Sequence, residues 1–104
     1  MRTDYSPINF RIMTEKKLTE ARRLANEILP KVQKMQRDMY FNNRVSLDVD
    51  VAISGFSFYV NVSYTKDDRR HQFKTFYFFD FYDAEENNET FERLAEYVKE
   101  KSAA

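Results

Sequence analysis

The sequence predicts a single α+β domain over residues 1–104, with two helices on an antiparallel sheet of three strands, or four with the N-terminal segment, in the order α-β-β-β-α. Three observations carry that prediction. An apolar stripe at helical spacing runs from Thr14 to Phe41, two alternating stretches flank a Ser-Gly pair, and a second helical stripe closes the chain. A chain of 104 residues holds one modest core and no second domain.

The first helix is read from Leu18, Ala21, Ala25, Ile28, Val32, Met35 and Met39, which recur at alternating spacings of 3 and 4; Leu24 and Leu29 widen the stripe. Thr14 is the expected N-cap. Glu20, Glu27 and Lys31 are expected on the solvated face, with Glu27 and Lys31 paired one turn apart. Pro30 interrupts this pattern. It has no N–H for the Asn26 carbonyl and its ring crowds that carbonyl, at about 3 kcal/mol in a straight helix, so a kink or break is expected there. The same heptad-like spacing could seam a coiled coil, but Ala at two positions and the broad stripe fit packing on a sheet better.

Val45, Leu47, Val49, Val51 and Ile53 alternate with Ser46, Asp48, Asp50 and Ala52, the signature of a half-buried strand. Ser54-Gly55 is a two-residue turn, and Phe56, Phe58, Val60, Val62 and Tyr64 alternate after it. The hairpin register follows: Ile53 opposite Phe56, Val51 opposite Phe58, Val49 opposite Val60 and Leu47 opposite Val62, all on the core face.

Lys66-Asp67-Asp68-Arg69-Arg70 turns the chain into a third strand from about His71 to Phe81, in which both faces are aromatic. Phe73, Tyr77, Phe79 and Phe81 share one face, while Phe76 and Phe78 share the other. Pairing Tyr64 with Phe73 sets Tyr59 beside Phe78 and Asn61 beside Phe76. Tyr59, Phe76 and Phe78 then form an aromatic patch on the face away from the hairpin core. The second helix starts at Asp83 or Asn88, gathers Glu85, Glu86, Glu89 and Glu92 near its N-terminal end, and buries Phe91, Leu94, Ala95 and Val98. Ile8, Phe10 and Ile12 after Pro7 suggest a short edge strand.

Composition excludes several classes of function. Zero Cys removes disulfides and thiolate metal sites, one Gly removes Gly-rich phosphate loops, and one His removes most His-based metal and triad chemistry. No apolar run approaches the roughly 18 residues that span a bilayer. The stretch MRTDYSPINFRIM lacks the apolar core of a secretory signal, so a cytoplasmic protein is expected, and the Asn61 and Asn88 sequons are read as chance. Net charge is zero as a whole, yet residues 1–44 carry ten basic and five acidic side chains and residues 45–104 carry seven and twelve, so the halves are +5 and −5. Opposite halves attract each other within a fold or between subunits.

Asp48 and Asp50 lie on one strand face about 7 Å apart. Without a third carboxylate or a His placed to complete a shell, they are read as solvated strand residues, with no metal, cofactor or catalytic set expected. His71, between Arg70 and the third strand, is read as an exposed hairpin end. Helix, three-strand meander, helix is similar in order to the double-stranded-RNA-binding domain over residues 14–101. That family's lysine cluster at the start of its second helix is replaced here by acidic Asp83-Ala84-Glu85-Glu86-Asn87-Asn88-Glu89. The function expected from these residues is a small non-catalytic protein-interaction domain, self-associating or binding another protein through Tyr59, Phe76 and Phe78. The alternative is a nucleic-acid-binding module using Lys16, Lys17, Arg23, Lys34 and Arg37 on the first helix. It is disfavoured because acidic Glu15, Glu20, Glu27 and Asp38 interrupt that basic face.

Overall fold

The computed structural model describes residues 15, 17–42, 44–52, 56–66 and 70–103; Lys66, Arg70, His71 and Gln72 enter through their backbone only. The elements follow the expected order: helix α1 over residues 17–38, strands β1 (Val45–Val51), β2 (Phe58–Lys66) and β3 (Arg70–Phe78), and helix α2 (Ala84–Ala103). Thr14, the Ile8 to Ile12 segment, Ile53 and the Ser54-Gly55 turn lie outside the described residues.

Pro30 is accommodated by a π turn instead of a kink or break. Leu24–Ile28 is wound as a π-helix, and the Leu29 N–H donates to the Leu24 carbonyl five residues back. α-Helical winding resumes at Leu29, so the extra residue of the π turn is taken up immediately ahead of Pro30, where the proline ring would crowd a regular helix. Ala21, Leu24, Ile28 and Val32 are buried, and Met35 and Met39 are half-buried on the same stripe. Among the described residues the ion pairs of α1 are Glu20–Arg23 and Lys34–Asp38, not the expected Glu27–Lys31. The wider π turn spoils one-turn spacing across it, and the Lys31 ammonium lies 5.8 Å from the Phe91 ring centroid on α2.

The sheet has the order β1-β2-β3, antiparallel throughout. In the first hairpin Val51 faces Phe58, Val49 faces Val60 and Leu47 faces Val62, as the alternation requires. The second hairpin differs from expectation by one residue. Tyr64 pairs with Gln72, so Phe58 faces Phe78, Val60 faces Phe76, Tyr59 faces Tyr77 and Asn61 faces Thr75. That one-residue difference exchanges the two faces of β3. Phe76 and Phe78 go into the core, and Phe73 and Tyr77 go outside, the reverse of the sequence expectation. Burial explains the choice. Phe76 and Phe78 continue the apolar row of Phe58, Val60 and Val62 beneath the helices, and Lys74, opposite Val62 on the same face, holds its ammonium over the Phe76 and Tyr97 rings at the sheet edge. β3 also ends at Phe78, short of Phe81, because β2 begins at its partner Phe58.

Both helices pack on one face of the sheet. The core joins Leu24, Ile28 and Val32 of α1 with Val45, Leu47, Phe58, Val60, Val62, Phe76 and Phe78 of the strands and Leu94 and Val98 of α2. α2 starts with a reciprocal capping box: Glu86 N–H donates to Asp83 Oδ1 at 2.8 Å and Asp83 N–H donates to Glu86 Oε1 at 3.1 Å. Asp83 is therefore the cap and Asn88 lies within the helix. The buried stripe of α2 is Asn87, Thr90, Leu94 and Val98, with Phe91 and Ala95 half-buried beside it. No helix among the described residues is long and apolar enough to cross a membrane.

Candidate functional site

Strand periodicity leaves Ser46, Asp48 and Asp50 of β1, Tyr59, Asn61 and Ser63 of β2, and Phe73, Thr75 and Tyr77 of β3 on the face away from both helices. This open face carries large aromatic surface. Tyr77 is 49% exposed and Phe73 68%, and beyond the strand Phe81 is 66% exposed, against 5% for Phe76 and 0% for Phe78. Four rings form a row. Tyr59 leans on Tyr77 with centroids 5.8 Å apart, Tyr77 stacks on Phe79 at 5.7 Å, and Phe79 stacks on Phe81 at 4.7 Å. Tyr82 closes the end edge-on, 5.1 Å from Phe79. Stacked rings at these separations attract one another, so the row is held as a surface before anything binds it.

Carboxylates border the row. The Tyr59 hydroxyl donates to Asp50 Oδ2 at 2.7 Å, and this hydrogen bond, with the charge of Asp50 behind it, raises the Tyr59 pKa above the usual phenol value. At the other end Asp80 N–H donates to Ser57 Oγ at 3.0 Å, which pins the turn after β3 to the start of β2. In the middle of the face Thr75 donates its hydroxyl hydrogen to Asn61 Oδ1. The open face is thus aromatic at one end, polar at its centre and acidic along β1.

Of the three residues expected to form the interaction patch, only Tyr59 is on this face. Phe76 and Phe78 are corrected to the core, where Phe78 stacks on Phe58 and Phe76 lies 5.6 Å from Tyr97. Their places are taken by Tyr77, Phe79 and Phe81. Asp48 and Asp50 are exposed, and among the described residues no group of three or more His, Asp or Glu side chains could hold a metal ion.

The basic face of α1 is divided. Lys17, Lys34 and Arg37 are exposed, but Lys34 is paired with Asp38 at 2.9 Å, and Lys16 lies outside the described residues. Arg23 is committed inside the molecule. Its Nε and Nη2 grip the two oxygens of Glu20 at 2.9 and 2.7 Å, Nη1 reaches Asn88 Oδ1 at 3.0 Å, and Nη2 reaches the Ala84 carbonyl at 3.2 Å. The hydrogen bond to Glu20 is the main cause of a raised Arg23 pKa, outweighing partial burial.

Glu20 itself was expected on the solvated face and is buried. Its Oε2 also accepts from Asn87 Nδ2 at 2.6 Å, and that amide nitrogen donates to the Phe79 carbonyl at 3.0 Å. This cluster ties α1, α2 and the end of β3 together and so holds Phe79 at the middle of the aromatic row. One sequence signal pointed to it. Asn87 and Thr90 share the helical spacing of Leu94 and Val98, and a polar residue on a buried stripe needs a polar partner.

Comparison with protein-family models, with curated proteins and with solved structures finds no match to this chain.

Proposed function

We propose that this chain is a small non-catalytic protein-interaction domain that self-associates through the aromatic surface of its sheet. The carrying observation is the row Tyr59, Tyr77, Phe79 and Phe81, in ring contact one with the next, with Tyr59, Tyr77 and Phe81 exposed and Phe79 half-buried between them. Burying a Phe-sized side chain contributes roughly 1.5 to 3 kcal/mol, and a two-fold axis doubles every contact, which supports association set against the roughly 4 to 15 kcal/mol that bringing two chains together costs. Large contiguous aromatic patches on soluble domains mark interaction sites.

A protein partner suits this face better than a nucleic acid. Aromatic sheet faces that stack bases need cationic neighbours for phosphates, whereas Asp48, Asp50 and Asp80 border this one. The absence of cysteine fits a reducing compartment, and the cytoplasm is the location we assign on that basis. Light scattering behind a sizing column tests the reading: the expected mass is twice the chain's 12.6 kDa, and a mass of one chain at high micromolar loading rejects it.

A further inference from the structure

The sheet has two edges, and they are unequal. The β1 edge is occupied and charged. Gln36 of α1 donates its Nε2 hydrogen to the Leu47 carbonyl at 3.0 Å, and Asp48 and Asp50 would meet their own kind in a β1 to β1 pairing centred near the middle of the strand. The β3 edge has no strand beyond it among the described residues. Along it runs an open groove of about 340 Å³, floored by residues Lys74 to Tyr77 and walled by Glu86, Glu89 and Arg93 of α2. Lys74 is the charge at the centre of that edge, and its ammonium is drawn back over the rings of Phe76 and Tyr97, 5.4 and 5.3 Å from their centroids.

We propose that a second copy of this chain docks at the β3 edge, the two β3 strands pairing antiparallel about a two-fold axis at Thr75 to make one six-stranded sheet. This rests on the self-association proposed above and narrows its contact to the strand edge, where Tyr77 of the row meets Phe73 of the second copy in the plane of the sheet while Tyr59, Phe79 and Phe81 remain on the open face. Symmetry restricts the choice. An axis perpendicular to the sheet sets each residue opposite one of the same face, so one residue must lie directly opposite its own copy, with the axis midway between the two. Centred on Lys74, the nine-residue strand overlaps fully but places Lys74 against itself. Centred on Phe73, it leaves Tyr77 outside the ladder, and centred on Phe76 it shortens the ladder to five residues. Thr75 keeps seven residues paired, sets Phe73 opposite Tyr77 of the second copy and Lys74 opposite Phe76 of the second copy, and places the hydroxyls of Thr75 side by side.

The chemistry of both faces suits that register. Phe73, the most exposed ring on the strands among the described residues, makes a cross-strand aromatic pair, and the aromatic row of each copy extends into its neighbour. The groove lining carries two cations, Lys74 and Arg93, and two anions, Glu86 and Glu89, so copies brought together by the axis meet without a net like charge.

Because the chain has no cysteine, an introduced thiol reports position without interference. Phe73→Cys and Tyr77→Cys variants are oxidised separately and as a mixture, with Thr75→Cys alone as a second probe and Ser46→Cys on β1 as the control for stacking of open faces. Opposed strand residues have Cα atoms about 4.5 to 5.5 Å apart, inside disulfide range, while residue 73 and its own copy are separated by about 13 Å in this register. The expected result is a disulfide-linked dimer at least about tenfold faster in the mixture than in either Phe73→Cys or Tyr77→Cys alone, with Thr75→Cys linking and Ser46→Cys not. If the wild type sediments as a dimer while the mixture and Thr75→Cys stay unlinked, or Ser46→Cys links as readily, the β3 edge is wrong and self-association stands. A wild type that is monomeric throughout removes both.

Discussion

Phe58 and Phe78 stack face to face, with ring centroids 4.7 Å apart and planes 14° from parallel, directly across the β2–β3 ladder and fully buried. This contact lies at the level where the sheet's two faces are decided. Moving β3 by one residue would take Phe76 and Phe78 out of the core and bring Tyr77 in, so the exposed aromatic row exists because Phe78 is held under the helices.

Truncating that inner ring should therefore be far more harmful than truncating its neighbour. Phe78→Ala is expected to lose about 3 to 5 kcal/mol of stability, and Tyr77→Ala about 1 kcal/mol or less. Urea denaturation followed by circular dichroism measures both. Equal losses would mean that the register described for β3 is incorrect.

Much of this fold was legible in residue spacing, and the failures have identifiable causes. Leu47 opposite Val62 and Val49 opposite Val60 follow from clean alternation on both strands of the first hairpin, where a slip would expose five apolar residues. β3 offers no such contrast, because Phe73, Tyr77 and Phe79 on one face rival Phe76 and Phe78 on the other. There the partner strand decides, by setting Phe76 and Phe78 beside the buried Val60 and Phe58, and that is not a property of β3 alone. Glu20 was misplaced for a related reason. Its one-turn neighbours on α1 read as solvated, while the group that draws it inward, Asn87, is 67 residues away. Pro30 marks a disturbance of α1, but spacing alone does not distinguish a kink from a π turn.

The cluster around Glu20 makes a second prediction. Glu20→Ala removes the carboxylate that both Arg23 and Asn87 donate to, and the expected cost is about 1 to 3 kcal/mol, since the buried Asn87 amide loses one acceptor while the partly exposed Arg23 keeps Asn88 and the Ala84 carbonyl. Lys17→Ala, one turn earlier and exposed, should change stability by about 0.5 kcal/mol or less. Thermal melts of the two variants compare them. A Glu20→Ala protein as stable as the Lys17→Ala protein would show that the cluster contributes nothing.

A third concerns the phenol at the end of the aromatic row. Tyr59 must be protonated to donate to Asp50, so its folded pKa is raised, and the associated stabilisation is complete below the unfolded phenol value of about 10 and lost as pH rises through the folded value. Asp50→Asn should bring the Tyr59 ionisation back down. Ring-carbon NMR titration of Tyr59 in the two proteins follows it, and an unchanged midpoint would remove Asp50 as the cause.

Nucleic-acid affinity should be weak and nonspecific, because Arg23 is held by Glu20 and Lys34 by Asp38, and the start of α2 is acidic. Fluorescence anisotropy with duplex RNA, duplex DNA and single strands near physiological salt is the measurement. Submicromolar binding with a steep salt slope, abolished by Lys17→Glu with Arg37→Glu, would favour the basic helix over the aromatic sheet as the working surface.

Sedimentation velocity from low to high micromolar concentration, run on the wild type and on Tyr77→Ser with Phe79→Ser, tests the central claim most directly. The expected result is a wild-type dimer and a double variant that keeps its circular-dichroism spectrum but sediments as a monomer, since Tyr77 is exposed and the paired substitution removes the middle of the row while leaving Phe76 and Phe78 in place. A wild type that remains monomeric at every concentration, or a folded double variant with the wild-type mass, would contradict it.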